Sequence, residues 1–207
     1  MGLIYNSRYV NEEDATGWEL LWNPTYAGKI LMFDNPRDAF AIAELESGFS
    51  LNTEDPEELK TATNKLIEQK NLVQAYVMDQ VFDKMERGEA WIAPYYAGDY
   101  LLMVDENPDL RFLFPDDGFN LFIDACCIPK AAAHKEAVEL FINFLCDPEI
   151  CGENMEYLGY SVPITKAKDY MDPELTDRDI AYPSDDILEL GESFNALSDT
   201  GNKLMNE

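Results

Sequence analysis

Short apolar runs alternate along this chain with longer stretches of amphipathic period. Runs at 3–6, 29–33, 72–76, 90–95 and 110–114 read as strands. Between them, apolar residues return every three or four positions, the spacing of one helix face. Thr16 is placed to cap a helix through Trp18, Leu20 and Leu21, which Pro24 ends. The turn 34–38 opens another, with Asp34 as its expected cap and Pro36 near its first position. Phe40, Ala43 and Leu45 carry that helix to Gly48. Thr53 is the expected cap of a third, striped by Leu59, Ala62, Thr63, Leu66 and Ile67. Helices are also predicted over 80–87, 98–104, 134–145 and 148–158, and 184–190 and 194–205 close the chain. In 134–145, the face expected inward is Ala137, Val138, Phe141, Ile142 and Leu145.

Strands that alternate with helices define an α/β fold with a mainly parallel sheet covered on both faces. In such sheets, functional residues lie beyond the carboxyl ends of the strands. Three places qualify: the turn 34–38, the turn 95–99, and the region of Asp124. The last lies in the most apolar run of the chain, from Leu121 to Ile128, which reads as a fully buried strand. A carboxylate held there needs a cation or several donors. Asp124 therefore either caps a turn or pairs with a lysine, or it waits for a cationic ligand.

Composition narrows the choice. The 207 residues, 46% hydrophobic and 12% aromatic, suit one large domain or two small ones. There are 41 acidic residues against 15 Lys and Arg, for a net charge of −26. A phosphate-reading surface needs a basic patch, so no nucleic-acid partner is expected. An acidic field instead steers small cations inward, though most of these carboxylates serve solubility. No apolar run approaches the length of a membrane span, and MGLIYNSRYV carries no visible export signal. Cys126, Cys127, Cys146 and Cys151 lack the paired knuckles of a zinc site, and the single His134 does not complete one. No metal or cofactor is expected; one disulfide or free thiols are equally compatible with the spacing.

Asn35, Asp38, Tyr95, Tyr96 and Asp124 together describe a slot for an aliphatic amine. Carboxylates would meet the charged ends and aromatic faces the methylenes. Arg37 could neutralise a neighbour, and stacked tyrosines also serve as core. Catalytic signals are weak. No G-x-S-x-G elbow, H-E-x-x-H or phosphate loop occurs, and cysteines in an apolar strand are inert. A hydrolase using Asp38 and Asp124, a receptor for another small solute, and a non-binding interaction module remain the alternatives.

The phrases ATGWELLWNPTYAGKILMFDNPRDAF, GEAWIAPYYAGDYLLM, DACCIPKAAAHKEAVELFINFLCDPEI and EYLGYSVPI, in this order, resemble the spermidine/putrescine-binding proteins of bacterial ABC importers. The resemblance implies a two-lobed fold of the periplasmic-binding-protein type (type II) that closes on a polyamine. It also implies a membrane permease as partner, an extracytoplasmic location (periplasmic or as a cell-surface lipoprotein), and no enzymatic activity. By this likeness, residues 1–122 and 173–207 form the second lobe, and 123–172 belong to the first, whose N-terminal part is not in this chain. The family's ligand positions fall on Asn35, Asp38, Tyr96, Phe122, Asp124 and Tyr160; a glutamine position falls on Phe194, where the pattern fails. One acid of the family's pair has become the amide Asn35. Weak or no polyamine binding by the chain alone is the resulting expectation.

Overall fold

The computed structural model describes residues 1–205; 206 and 207 lie outside it. It divides into two compact units. Unit 1 comprises Met1–Phe122 and the chain from Asp185 onward, and unit 2 is Ile123–Ser184.

Unit 1 is built on a five-stranded sheet. Its strands are β1 (Gly2–Asn6), β2 (Ile30–Phe33), β3 (Val73–Val77), β4 (Ile92–Tyr95) and β5 (Leu110–Leu113), in the order β3-β2-β4-β1-β5. β2 pairs parallel with β3 and β4, while β1 pairs antiparallel with both β4 and β5. Four strands thus run one way and β1 alone is wedged against them. The reason lies in the connections, since each crossover helix returns the chain to start the next strand in the same direction. These helices are α1 (Pro36–Glu46), α2 (Pro56–Gln69), α3 (Gln80–Glu86) and α4 (Ala97–Glu106).

The core follows the apolar pattern closely. β2 and β4 are buried along their whole length. α1 lays Ala39, Ala41, Ile42, Ala43 and Leu45 inward, packs on α2, and stops at Gly48, whose φ of 76° is the left-handed conformation that glycine takes freely. Trp18 is fully buried, and its indole N–H donates to the Gly118 carbonyl at 2.8 Å. Several local expectations need correction. Residues Trp18–Trp22 form a 3₁₀ turn rather than an α-helix, without a side-chain cap from Thr16. Asn35, not Asp34, caps α1, and Asp55, not Thr53, caps α2, where its carboxylate accepts from the Glu57 and Glu58 N–H groups. In each case the neighbour directly before the N1 proline has the reach to the open amides.

After β6 (Phe119–Asn120) the chain enters unit 2, which holds no strand among the described residues. The run from Leu121 to Ile128, expected as a buried strand, is irregular, and Ile123, Asp124, Ala125, Cys126 and Cys127 are exposed. Ile123 is 87% exposed. Apolar composition states a demand for burial, but a strand exists only through its ladder. No backbone–backbone hydrogen bond reaches 123–128 among the described residues. The helix α5 (Lys135–Leu145) forms as predicted, yet none of its residues is buried; the inward face expected from Ala137 to Leu145 has no layer to pack against. α6 (Pro148–Leu158) is better supported. It packs on the 3₁₀ turn Thr165–Tyr170, where a side chain at Gly152 would meet the Ala167 carbonyl oxygen at 2.9 Å. The four cysteines are free thiols, three of them exposed.

The chain continues through α7 (Pro173–Thr176) and returns to unit 1 at α8 (Asp185–Leu188). The helices expected over 184–190 and 194–205 are shorter, α8 and α9 (Asp199–Met205), with β7 (Gly191–Glu192) between them paired to β6. Glu192 ties this return to the body of unit 1, accepting from Leu51 N–H at 3.2 Å and Asn52 Nδ2 at 2.7 Å. Among the described residues, no helix is long and apolar enough to cross a membrane.

Candidate functional site

β2 and β4 are adjacent and parallel, so their carboxyl ends open side by side. The turn after β2 starts α1 and the residue after β4 starts α4. That topology brings Asn35, Asp38 and Tyr96 together from distant parts of the sequence. Asn35 uses both ends of its amide. Its carbonyl oxygen accepts from the Arg37 backbone N–H at 3.0 Å, which caps the helix, and its Nδ2 donates to Asp38 Oδ2 at 2.8 Å. The Tyr96 hydroxyl donates to the same Oδ2 at 3.2 Å.

Asp38 is only 4% exposed, although it stands in the first turn of α1. Its Oδ1 has no hydrogen-bond partner among the described residues. Burial raises the carboxyl above its ordinary range; the Tyr96 hydrogen bond, the Met1 amino group and Arg37 oppose this. The Tyr96 phenol is pushed up in turn, first by burial and then by the Asp38 charge. An acidic group with one oxygen held and the other open, in a poorly solvated place, is suited to a donor that carries positive charge.

Aromatic rings surround this carboxylate's partner. Tyr96 lies 5.5 Å from the Phe33 ring, 5.0 Å from Tyr95 and 5.2 Å edge-on from Phe122, measured between centroids. Four of the predicted positions, Asn35, Asp38, Tyr96 and Phe122, are thus linked by direct contacts within unit 1. Asp124 and Tyr160 belong to unit 2. Asp124 is exposed rather than held in an apolar strand, so the expectation of a buried carboxylate fits Asp38 instead. A cleft of about 600 Å³ in unit 2, between Leu140, Asn143, Phe144, Cys146, Asp147 and Ile150, contains none of the predicted positions.

Arg37 does not neutralise Asp38 by direct contact. Its guanidinium lies 4.6 Å over the Phe194 ring and donates to Asn52 Oδ1 at 3.0 Å. Sequence reasoning missed Glu44, which lies two turns along α1 from Arg37 and is fully buried, with no hydrogen bond to either carboxylate oxygen among the described residues. Burial pushes it up to about 7, against the pull of Arg37. The seven-residue interval from Arg37 placed it on the same helix face and was the available signal. Phe33 was likewise read only as a strand end, and its ring contact with Tyr96 required the register of β2 and β4.

The fold is that of the type II periplasmic binding proteins, and the geometry places an open acidic group at the strand ends where such sheets bind ligands. The chain belongs to the bacterial extracellular solute-binding protein family, whose profile matches residues 1–189. It is 29% identical over 190 residues to the spermidine/putrescine-binding periplasmic protein of Escherichia coli K12, covering 92% of this chain and 55% of that protein. It is 24% identical over 180 residues to a putrescine/cadaverine-binding protein of Pseudomonas aeruginosa, covering 82% of this chain and 51% of the relative. Among solved structures, the spermidine/putrescine ABC transporter substrate-binding protein PotD of Streptococcus pneumoniae superposes with a TM-score of 0.86 at 28% identity, over 99% of this chain and 63% of that one. The Tp0655 lipoprotein of Treponema pallidum shares the fold, with a TM-score of 0.84 at 20% identity. The chain therefore spans about half the length of the curated relatives it matches.

Proposed function

We propose that this chain is the polyamine-capturing component, or a portion of it, of an ABC importer. It would hold spermidine or putrescine outside the cytoplasm and hand it to a membrane permease, with no chemical change to the ligand. The observation that carries the reading is the Asp38 carboxylate: buried, fixed on one oxygen by Asn35 and Tyr96, and open on the other. The curated relatives support the ligand class by name, and they favour solute capture over a hydrolase. In this reading Phe122 completes the site of unit 1 with Asn35, Asp38 and Tyr96, and Asp124 and Tyr160 are the ligand candidates of unit 2.

We further propose that the two units correspond to parts of two lobes. Residues 1–122 with the C-terminal segment would be one lobe, and the segment that starts at 123 would be part of the other. The exposed apolar face of α5 and the unladdered run 123–128 support this, because both are surfaces that a further layer would cover. With the lobes assigned in this way, residues 1–207 by themselves would hold a ligand weakly. Calorimetric titration of the chain with spermidine and putrescine should give at best millimolar binding, absent for small organic anions. Submicromolar affinity would overturn the lobe assignment, and a preference for anions would overturn the function.

A further inference from the structure

We infer that Asn35 does more than cap α1: its side-chain amide aims the Asp38 carboxylate and leaves this pocket a single acid, fitted to one primary ammonium group. The inference rests on the polyamine reading above and assigns a positioning role within it.

The argument is one of hydrogen-bond accounting. A side-chain amide offers one carbonyl and two N–H donors. Asn35 spends its carbonyl on the Arg37 N–H and one donor on Asp38 Oδ2. Serine or aspartate at this position would cap the helix equally well, so capping alone does not call for an amide. What the amide adds is a donor aimed back at a carboxylate three residues ahead. With Tyr96 as the second donor, Oδ2 is saturated, and the side chain is pinned with Oδ1 as the only acceptor it presents. The groups facing Asp38 are Arg37 on its own helix, the Tyr96 hydroxyl from the start of α4, and the Met1 amino group beside β1, which burial lowers to about 5 and so leaves uncharged near neutral pH. No second acid is among them. Asp38 is thus the one carboxylate the pocket offers; one ammonium meets its open oxygen, and the methylenes that follow meet the rings of Tyr96 and Phe122.

Two capped variants separate aiming from capping. Asn35→Ser keeps a cap and removes the donor; Asn35→Asp keeps a cap and sets a like charge against Asp38. The probes are n-butylamine and putrescine, titrated at 0.15 M salt with binding read from NMR shifts at Tyr96. Asn35→Ser should melt within about 2 °C of the parent, because Asn and Ser cap alike, whereas Asn35→Asp should melt lower at neutral pH through the like charge set against Asp38. Asn35→Ser should lose about tenfold in affinity for n-butylamine, the worth of a hydrogen bond to a charged group; Asn35→Asp should not, because its added carboxylate attracts the ammonium. A second readout needs no ligand: the carboxyl carbon of Asp38, followed against pH. Its midpoint should rise in Asn35→Ser, and in Asn35→Asp the pair should titrate in two separated steps. If Asn35→Ser binds and titrates as the parent does, Asn35 is a cap alone and the inference falls. Should Asp38→Asn bind both amines unchanged, it is the polyamine reading of the site that falls, whatever Asn35 does.

Discussion

Two helices of eleven residues show how differently the two units treat the same kind of sequence. α1, in unit 1, buries seven residues, two of them acidic. α5, in unit 2, buries none, with Leu140 71%, Phe141 57% and Phe144 53% exposed. α5 carries the more strictly amphipathic stripe of the two. Amphipathicity sets which face a helix offers, but burial needs an opposing surface. α1 has β2 and α2 against it, whereas α5 meets only a few residues of α6. The acids Asp38 and Glu44 are buried because the layers around α1 are already closed, and their cost is carried by that packing. Core packing and the candidate site at Asp38 are thus concentrated in the same unit.

The contrast should be sharpest in core truncations. Trp18→Ala in unit 1 removes a fully buried ring and its hydrogen bond to Gly118, and should cost about 3–5 kcal/mol in urea unfolding. Phe141→Ala in unit 2 should cost less than about 0.5 kcal/mol. Equal losses would show that α5 is packed in solution. Amide exchange offers the next test. The strands β2 and β4 should exchange only with global unfolding, and α5 by local opening well below that limit; equal protection in the two units would remove the distinction.

Smaller effects follow from the buried acids. Glu44 has its carboxyl raised from 4.5 to about 7 in the folded chain. The folded state therefore holds its proton more tightly than the unfolded state. Its contribution to stability is complete below about pH 4.5 and is lost as pH rises through about 7. Glu44→Gln should thus match the parent at pH 4 and exceed it above pH 7, by at most about 3 kcal/mol, with the Arg37 attraction already counted in the raised carboxyl. A constant difference across this range would mean that the carboxyl is not buried. Asp38→Asn should do the same more weakly, stabilising the chain near neutral pH by less than about 1 kcal/mol while removing amine binding. Loss of stability together with binding would instead mark Asp38 as a structural cap.

Much of unit 1 was legible in advance. The runs at 29–33 and 90–95 became buried strands, and 72–76 a half-buried strand at the sheet edge, because an apolar run bounded by turns has few other ways to satisfy both its side chains and its amides. The turn 34–38 was legible too, because Pro36 and the polar residues before it announce a helix start. The choice of Asn35 over Asp34 as cap was not, since both residue types cap and only the backbone path separates them. Asp124 misled for a related reason. Its neighbours are as apolar as those of any buried strand, but the ladder that would bury them is absent among the described residues, and pattern alone does not reveal a missing partner.

Residue order alone determined the alternation of strands and helices, the acidic balance, the family likeness, and the candidates Asp38 and Tyr96. Only the tertiary structure decided that Asp38 is the buried carboxylate and Asp124 the exposed one, that Asn35 is spent on the helix cap and a hydrogen bond to Asp38, and that α5 lies uncovered. Local pattern fixes what each segment needs, because periodicity and capping act over a few residues. Whether the need is met depends on surfaces far away in sequence, and those exist only once the sheet has been assembled.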